Sequence, residues 1–243
     1  CGLRPDAAYA CYGLAEATLF ITGGSCGAGA TITSFDTEAL GQGRDEESPG
    51  ASQTTALVGC GPAVPGHAVA IVDPHSLQVL EPGRVGEIWA HGPSISQGYW
   101  GKPQQTQQAF VEHAGRRWLR TGDLARVDDE GFLTIVDRIK DMLIRGGENI
   151  YCIEVENCLY DHPAVMDAAL VGIPHKTLGE EPAAVVTLKP GAEASEAELR
   201  AFVADRLAAF KVPVKVVFWP ETLPRNANGK IMKNELKKVF EQG

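Results

Sequence analysis

The chain has 243 residues, 44% of them hydrophobic and 22% charged, the balance of an ordinary globular protein with room for one large domain or two modest ones. A formal net charge of −9 argues against a non-specific nucleic-acid surface, which needs clustered cations, although the tail around Lys230, Lys233, Lys237 and Lys238 is locally basic. No apolar run approaches the roughly 20 residues that span a bilayer, so no membrane span is expected.

Cys1 is not followed by the charged leader and apolar core of a signal peptide. The sequence starts without Met, at Cys1-Gly2-Leu3-Arg4-Pro5, and reads as part of a longer protein. Its six cysteines (Cys1, Cys11, Cys26, Cys60, Cys152, Cys158) form no Cys-x-x-Cys pair and have no partnering His cluster. They are expected to be free thiols in a reducing, cytoplasmic setting rather than zinc ligands or a redox pair.

Residues 13–56 are rich in Gly, Ser, Thr and Ala with weak periodicity, and 41–52 has the composition of a solvated loop. From Ala68 the texture changes to short β-like runs at 68–73, 85–91 and 132–136, the early ones separated by Pro65-Gly66 and Pro82-Gly83. This spacing predicts a small barrel or a meander. One short helix is expected at 104–111, after Pro103.

Beyond Arg138 the pattern is mixed α+β, and a domain boundary is expected at 137–138. A helix near 153–160 precedes strands at 165–173 and 183–188. Ser195 with Glu198 three residues on predicts a capping box, opening a helix whose apolar face is Leu199, Phe202, Val203, Leu207 and Phe210 and which Pro213 ends. A strand at 214–218 and a last helix at 234–240 complete the chain. There is no internal repeat.

Four segments carry candidate chemistry. In Tyr12-Gly13-Leu14-Ala15-Glu16 an aromatic offers a face to a base, glycine admits close backbone approach, and glutamate offers oxygen to a hard cation. In Trp118-Leu119-Arg120-Thr121-Gly122-Asp123-Leu124 an aspartate on a turn can accept two hydroxyls, as a ribose diol requires. The stretch from Asp137 through Arg138, Lys140, Arg145, Gly146 and Gly147 to Ile150 combines dense charge, an apolar strand and a glycine pair, which suits a hinge. Pro224-Arg225-Asn226-Ala227-Asn228-Gly229-Lys230 puts a lysine at the far edge of an Asn-Gly turn. Each segment alone has a plainer explanation: a buried tyrosine with a surface glutamate, a locally bonded Gly-Asp turn, a polar linker, a solvated lysine.

Together and in this order they resemble the core segments of the adenylate-forming superfamily: acyl- and aryl-CoA synthetases, luciferases, peptide-synthetase adenylation domains and fatty acyl-AMP ligases. The resemblance covers nearly the whole chain. It implies an α/β and α+β fold. Residues 1–137 would be the end of the large AMP-binding domain, with an insertion at about 20–56 and a β-barrel-like subdomain at about 57–136. Residues 138–243 would be a small mobile C-terminal domain. It implies that Tyr12 and Gly13 line the adenine of ATP or AMP and that Glu16 holds Mg²⁺. Asp123 would bind the ribose hydroxyls, Ile135 would pack near the base, and Arg138 would reach ribose or phosphate. Lys140 would be the hinge, and Lys230 would bridge the carboxylate and the α-phosphate.

Two departures stand beside it. Many relatives carry Thr where this chain has Ala15, and the family's phosphate loop with its lysine would lie before Cys1. This chain alone is therefore expected not to complete the reaction.

The two halves point to different branches. Cys11-Tyr12-Gly13-Leu14-Ala15-Glu16-Ala17-Thr18-Leu19 and the extra length between Leu19 and Leu57 resemble fatty acyl-AMP ligases, which load an acyl carrier protein and reject CoA. Arg145-Gly146-Gly147-Glu148-Asn149-Ile150, with Ile153-Glu154-Val155-Glu156, resembles acyl-CoA synthetases, in which Gly146 and Gly147 would border the route of the CoA or phosphopantetheine thiol. The expectation is an acid–thiol ligase acting on a fatty acid, with CoA preferred slightly to carrier protein. A non-catalytic nucleotide-binding or regulatory module and a luciferase are the alternatives.

Overall fold

The computed structural model describes residues 2–36, 39–40, 54–227 and 229–241. Cys1, the stretch 41–52 read as a solvated loop, and Asn228 lie outside the described residues. The chain divides into two compact units, Cys1–Lys140 and Asp141–Gly243.

In the first unit β1 (Cys11–Tyr12) and β2 (Thr22–Gly23) pair as a short antiparallel ribbon. The main sheet contains β3 (Thr31–Asp36), β4 (Thr54–Gly59), β5 (Ala68–Val72) and β6 (Gly86–His91). After the helix α1 (Pro103–Ala109) come β7 (Phe110–His113), β8 (Arg116–Val127) and β9 (Leu133–Arg138). The order is β3-β4-β9-β8-β6-β5, with β7 also on β8. Its two ends stay apart in this order, and β4 lies beside β9 rather than beside its next strand in sequence, so among the described residues the sheet is an open antiparallel one, neither the closed barrel nor the simple meander expected.

The long strand β8 is the organiser. It pairs with β6 along one edge, and with β7 and then β9 along the other. Ala114 and Gly115, both at positive φ, make the two-residue turn that reverses β7 into β8, as the twist of a hairpin demands. Strands β3 and β4 fall in the stretch read as weakly periodic. The reason is that their faces are split: Phe35 and Leu57 are buried, while Ile32 and Val58 are exposed and paired opposite each other.

The core of this unit is built from Ile71, Ile88, Leu119, Ala125 and Leu133 of the sheet, with Tyr12, Ala17 and Ile21 packed onto them. The loop bearing Glu16 is therefore pinned by its own apolar neighbours.

The second unit has β10 (Leu143–Arg145), β11 (Glu148–Ile150), α2 (Cys152–Tyr160), β12 (Val165–His175) and β13 (Gly179–Leu188). Then follow α3 (Glu196–Ala204), β14 (Lys215–Phe218) and α4 (Lys233–Glu241). The sheet order is β11-β10-β13-β12, with β14 parallel to β13. Ala168, Leu170, Ala184 and Val186 face α2 and α3, while Ala169, Val171, Ala183 and Val185 pack with Leu223 and with Leu236 of α4. Burial of both faces explains why β12 and β13 are continuously apolar rather than alternating.

The Ser195 capping box forms, with Glu198 N–H donating to Ser195 Oγ at 3.1 Å. The helix it opens is shorter than its apolar spacing predicts, ending at Ala204. Leu207 is buried from the following turn, and a 3₁₀ turn, Ala209–Lys211, carries Phe210. This change of path delivers the fully buried Lys211 to Glu154 on α2, with Nζ 2.9 and 2.8 Å from the two carboxylate oxygens. Among the described residues no helix is long and apolar enough to cross a membrane.

Candidate active site

In the first unit the chemistry-bearing residues converge on the paired strands β8 and β9. Asp123 stands directly across from Arg138 in the register, and Arg138 Nε lies 3.0 Å from Asp123 Oδ1. The other carboxylate oxygen accepts the Tyr12 hydroxyl at 2.7 Å. Burial, and next the Asp123 carboxylate, push the Tyr12 phenol far above its ordinary range, so it stays a donor. With only 9% of Tyr12 exposed, little of its ring is left for stacking. Its hydroxyl restrains the Asp123 carboxylate. Ile135, opposite Ala125, is partly buried against the core that also holds Tyr12.

Gly13 answers to the chain's own backbone. A Cβ there would lie 1.2 Å from the Leu19 carbonyl oxygen, because the loop folds back so that Leu19 N–H donates to the Leu14 carbonyl at 3.0 Å. Thr18 and Leu19 close the loop in the left-handed region, at φ 53° and 78°. Glu16 projects from the 3₁₀ turn inside it. Its Oε1 accepts the Tyr99 hydroxyl at 2.8 Å, and its carbonyl accepts Ser96 N–H at 2.7 Å. Burial first, then the bond to Glu16, push the Tyr99 phenol up to about 12. One hydrogen-bonded and partly exposed carboxylate is a donor set that fits Mg²⁺, which takes few protein oxygens and completes its shell with water and phosphate. Glu16 would hold the ion, and its chemistry would be charge neutralisation on phosphate oxygens.

Sequence reasoning missed the support beneath Asp123. Glu87 is 2% exposed on the buried strand β6. Its Oε2 accepts from Arg120 Nε and Nη2 at 3.0 and 2.9 Å and from Trp89 Nε1 at 3.1 Å, while Oε1 accepts Gly122 N–H at 3.2 Å. Thr121 Oγ1 donates to the Ile88 carbonyl at 2.9 Å and accepts Asp123 N–H at 3.2 Å. These bonds hold the turn at Gly122, whose φ is 75°. The available signal was an acid inside the apolar run Gly86-Glu87-Ile88-Trp89-Ala90, which must be paired when buried.

Lys140, the expected hinge, is exposed, and the preceding Ile139 N–H donates to the Gly122 carbonyl at 2.9 Å. In the second unit Gly146 and Gly147 are the two central residues of the β10–β11 hairpin, at φ 59° and 91°. That turn demands glycine by itself, before any ligand is considered. Lys230 is exposed at the end of its turn. Its N–H donates to Asn226 Oδ1 at 3.0 Å, and its carbonyl accepts Asn226 N–H at 2.9 Å. Tyr12, Asp123 and Arg138 thus form one bonded group with Glu16 on the same loop as Tyr12, while the glycine pair and Lys230 belong to the second unit.

Comparison with known proteins gives two family matches in sequence order. The AMP-binding enzyme family matches residues 2–100, and the AMP-binding enzyme C-terminal domain matches 154–230. A putative acyl-CoA synthetase of Bacillus subtilis, YngI, is 41% identical over 205 residues, covering 82% of this chain and 37% of its own length. A long-chain-fatty-acid–CoA ligase of the same organism is 44% identical over 172 residues, covering 71% of this chain and 30% of its own. The chain thus spans about a third of the length of the curated relatives it matches.

ATP-bound MatB from Rhodopseudomonas palustris superposes with a TM-score of 0.75 at 32% identity, over 96% of this chain and 40% of that one. The o-succinylbenzoate CoA synthetase MenE of Bacillus subtilis, in complex with its acyl-adenylate intermediate, gives 0.73 at 33% identity, over 94% and 40%. With both family matches in sequence order and the fold shared at this identity, the chain belongs to the adenylate-forming superfamily of AMP-binding enzymes.

Proposed function

We propose that this chain is the nucleotide-holding and lysine-bearing part of an acid–thiol ligase that activates a fatty acid with ATP and passes the acyl group to CoA. The observation that carries the reading is the Asp123 carboxylate, fixed by Tyr12 on one oxygen and Arg138 on the other. A carboxylate has about four acceptor positions, so two remain for a ribose diol.

In the first step a carboxylate oxygen of the acid attacks the α-phosphorus of ATP, the bond to the β-phosphate breaks, and pyrophosphate leaves. Glu16 would hold a Mg²⁺ ion, which would supply charge neutralisation on phosphate oxygens, while Asp123 holds the ribose and Lys230 meets the charge developing between carboxylate and α-phosphate. In the second step a pantetheine thiolate attacks the acyl carbon, the thioester forms, and AMP leaves. Lys140 is the hinge between the two steps.

CoA is preferred as acceptor because the matched relatives include proteins named as CoA ligases and because the glycine pair leaves the β10–β11 turn without side chains. Transfer to an acyl carrier protein is the second reading, favoured by the length between Leu19 and Leu57.

The test is pyrophosphate exchange by the full-length protein carrying this chain, with and without fatty acid. Exchange is expected only with the acid, and Lys230→Ala should lower it by at least about a hundredfold with little change in ATP affinity. Nucleotide binding without any acid-dependent exchange would instead identify a non-catalytic module.

A further inference from the structure

The turn that carries Lys230 hangs from a charged clamp. Asp167, near the start of β12, is buried with 8% exposed. Its Oδ1 accepts the Tyr160 hydroxyl and the Ala168 N–H, and its Oδ2 is met by Arg225 Nη2 at 2.6 Å. The same guanidinium uses Nη1 to donate to the Gly229 carbonyl at 2.8 Å. One planar group thus joins a carboxylate anchored in the sheet to the residue just before Lys230.

The turn's own bonds have a different task. Asn226 N–H to the Lys230 carbonyl (2.9 Å), Lys230 N–H to Asn226 Oδ1 (3.0 Å) and Gly229 N–H to the Asn226 carbonyl (2.9 Å) set its shape. Arg225 sets where that shape is held relative to β12. Lys230 itself is exposed and long, so its ammonium is aimed by its backbone.

We propose that Asp167 and Arg225 are positioning residues for Lys230, acting through the Gly229 carbonyl to hold the lysine for adenylate formation. The inference rests on the role given to Lys230 above. Arginine suits the task because its fork spans two acceptors in fixed geometry, which an ammonium cannot do.

Two measurements test it. Amide hydrogen exchange of this chain should show protection at Asn226, Gly229 and Lys230 falling about tenfold or more in Arg225→Met, with β12 and β13 unchanged. Unaltered protection at the turn overturns the proposal. In the full-length protein, Arg225→Met and Asp167→Asn should each lower kcat for pyrophosphate exchange by about ten- to a hundredfold, leaving the KM for ATP within about threefold.

Arg225→Lys should fall between. Discharge of preformed acyl-adenylate should be unchanged in all three. Placed in a Lys230→Ala background, Arg225→Met should add no further loss, because both act through one group. An equal loss in that background shows that the clamp serves something other than Lys230, and overturns the proposal. Full exchange in Lys230→Ala alone rejects the assignment of Lys230, and the proposal with it, whatever Arg225→Met does.

Discussion

The Tyr12 hydroxyl donates to Oδ2 of Asp123 at 2.7 Å, tying together two segments 111 residues apart in sequence. The bond fixes the carboxylate plane, and Arg138 at 3.0 Å from Oδ1 completes the restraint. An acceptor held in this way needs no reorganisation when a pair of hydroxyls arrives.

If that restraint serves a nucleotide, Tyr12→Phe should weaken AMP binding to this chain by about tenfold, as loss of a hydrogen bond to a charged group does. Asp123→Ala should abolish it at millimolar AMP. Calorimetric titration measures both, and wild-type affinity in Tyr12→Phe would show that the bond serves only the fold.

Tyr99 gives a pH prediction. Its folded pKa, about 12, lies above the ordinary tyrosine value of 10.0, so the neutral phenol is the form that folding favours. The resulting stabilisation is fully present below about pH 10 and is lost as pH rises through 12. Urea unfolding between these limits should show stability falling, with a shallower fall in Tyr99→Phe. The same variant removes the donor to Glu16 Oε1 and should alter Mg²⁺ dependence of exchange in the full-length protein.

The β10–β11 turn separates backbone need from thiol passage. Both glycines have positive φ, so Gly147→Leu would strain the hairpin as well as add bulk. Gly147→Asn keeps a residue that tolerates this region, and no atom outside its neighbours lies within 4 Å of a Cβ there. Stability should change by less than about 1 kcal/mol, the scale of a tolerated turn substitution. If the thiol passes this turn, single-turnover discharge of preformed acyl-adenylate to CoA should slow at least about tenfold while adenylation is unchanged. Prompt discharge onto carrier protein alone, by the unmodified enzyme, would reverse the preference for CoA.

The Lys211–Glu154 pair, with both side chains buried, makes a stability prediction. Lys211→Met leaves a buried carboxylate without its cation and should destabilise the second unit by about 3–5 kcal/mol. Lys211→Met combined with Glu154→Leu should recover most of that loss. Denaturant unfolding of the three proteins measures the difference, and an equal deficit in the double variant would show that the charges themselves are required.

The order of the motifs and the strong local signals were legible in the sequence. The Ser195 capping box needs only residues three apart, and the runs forming β5, β6, β12 and β13 are apolar enough to declare themselves. Asp123 and Lys230 stood out because Gly-Asp and Asn-Gly are turn chemistry with a charge at the edge. What the tertiary structure decided was pairing. Glu87 beneath Gly122, Tyr99 on Glu16, and Asp167 with Arg225 join residues 35, 83 and 58 positions apart, distances at which no local pattern speaks. The open sheet, the early end of α3 and the glycine at position 13 have the same origin. Strand register, a buried Lys211 and the Leu19 carbonyl act across space, whereas periodicity reports only what one element would do alone.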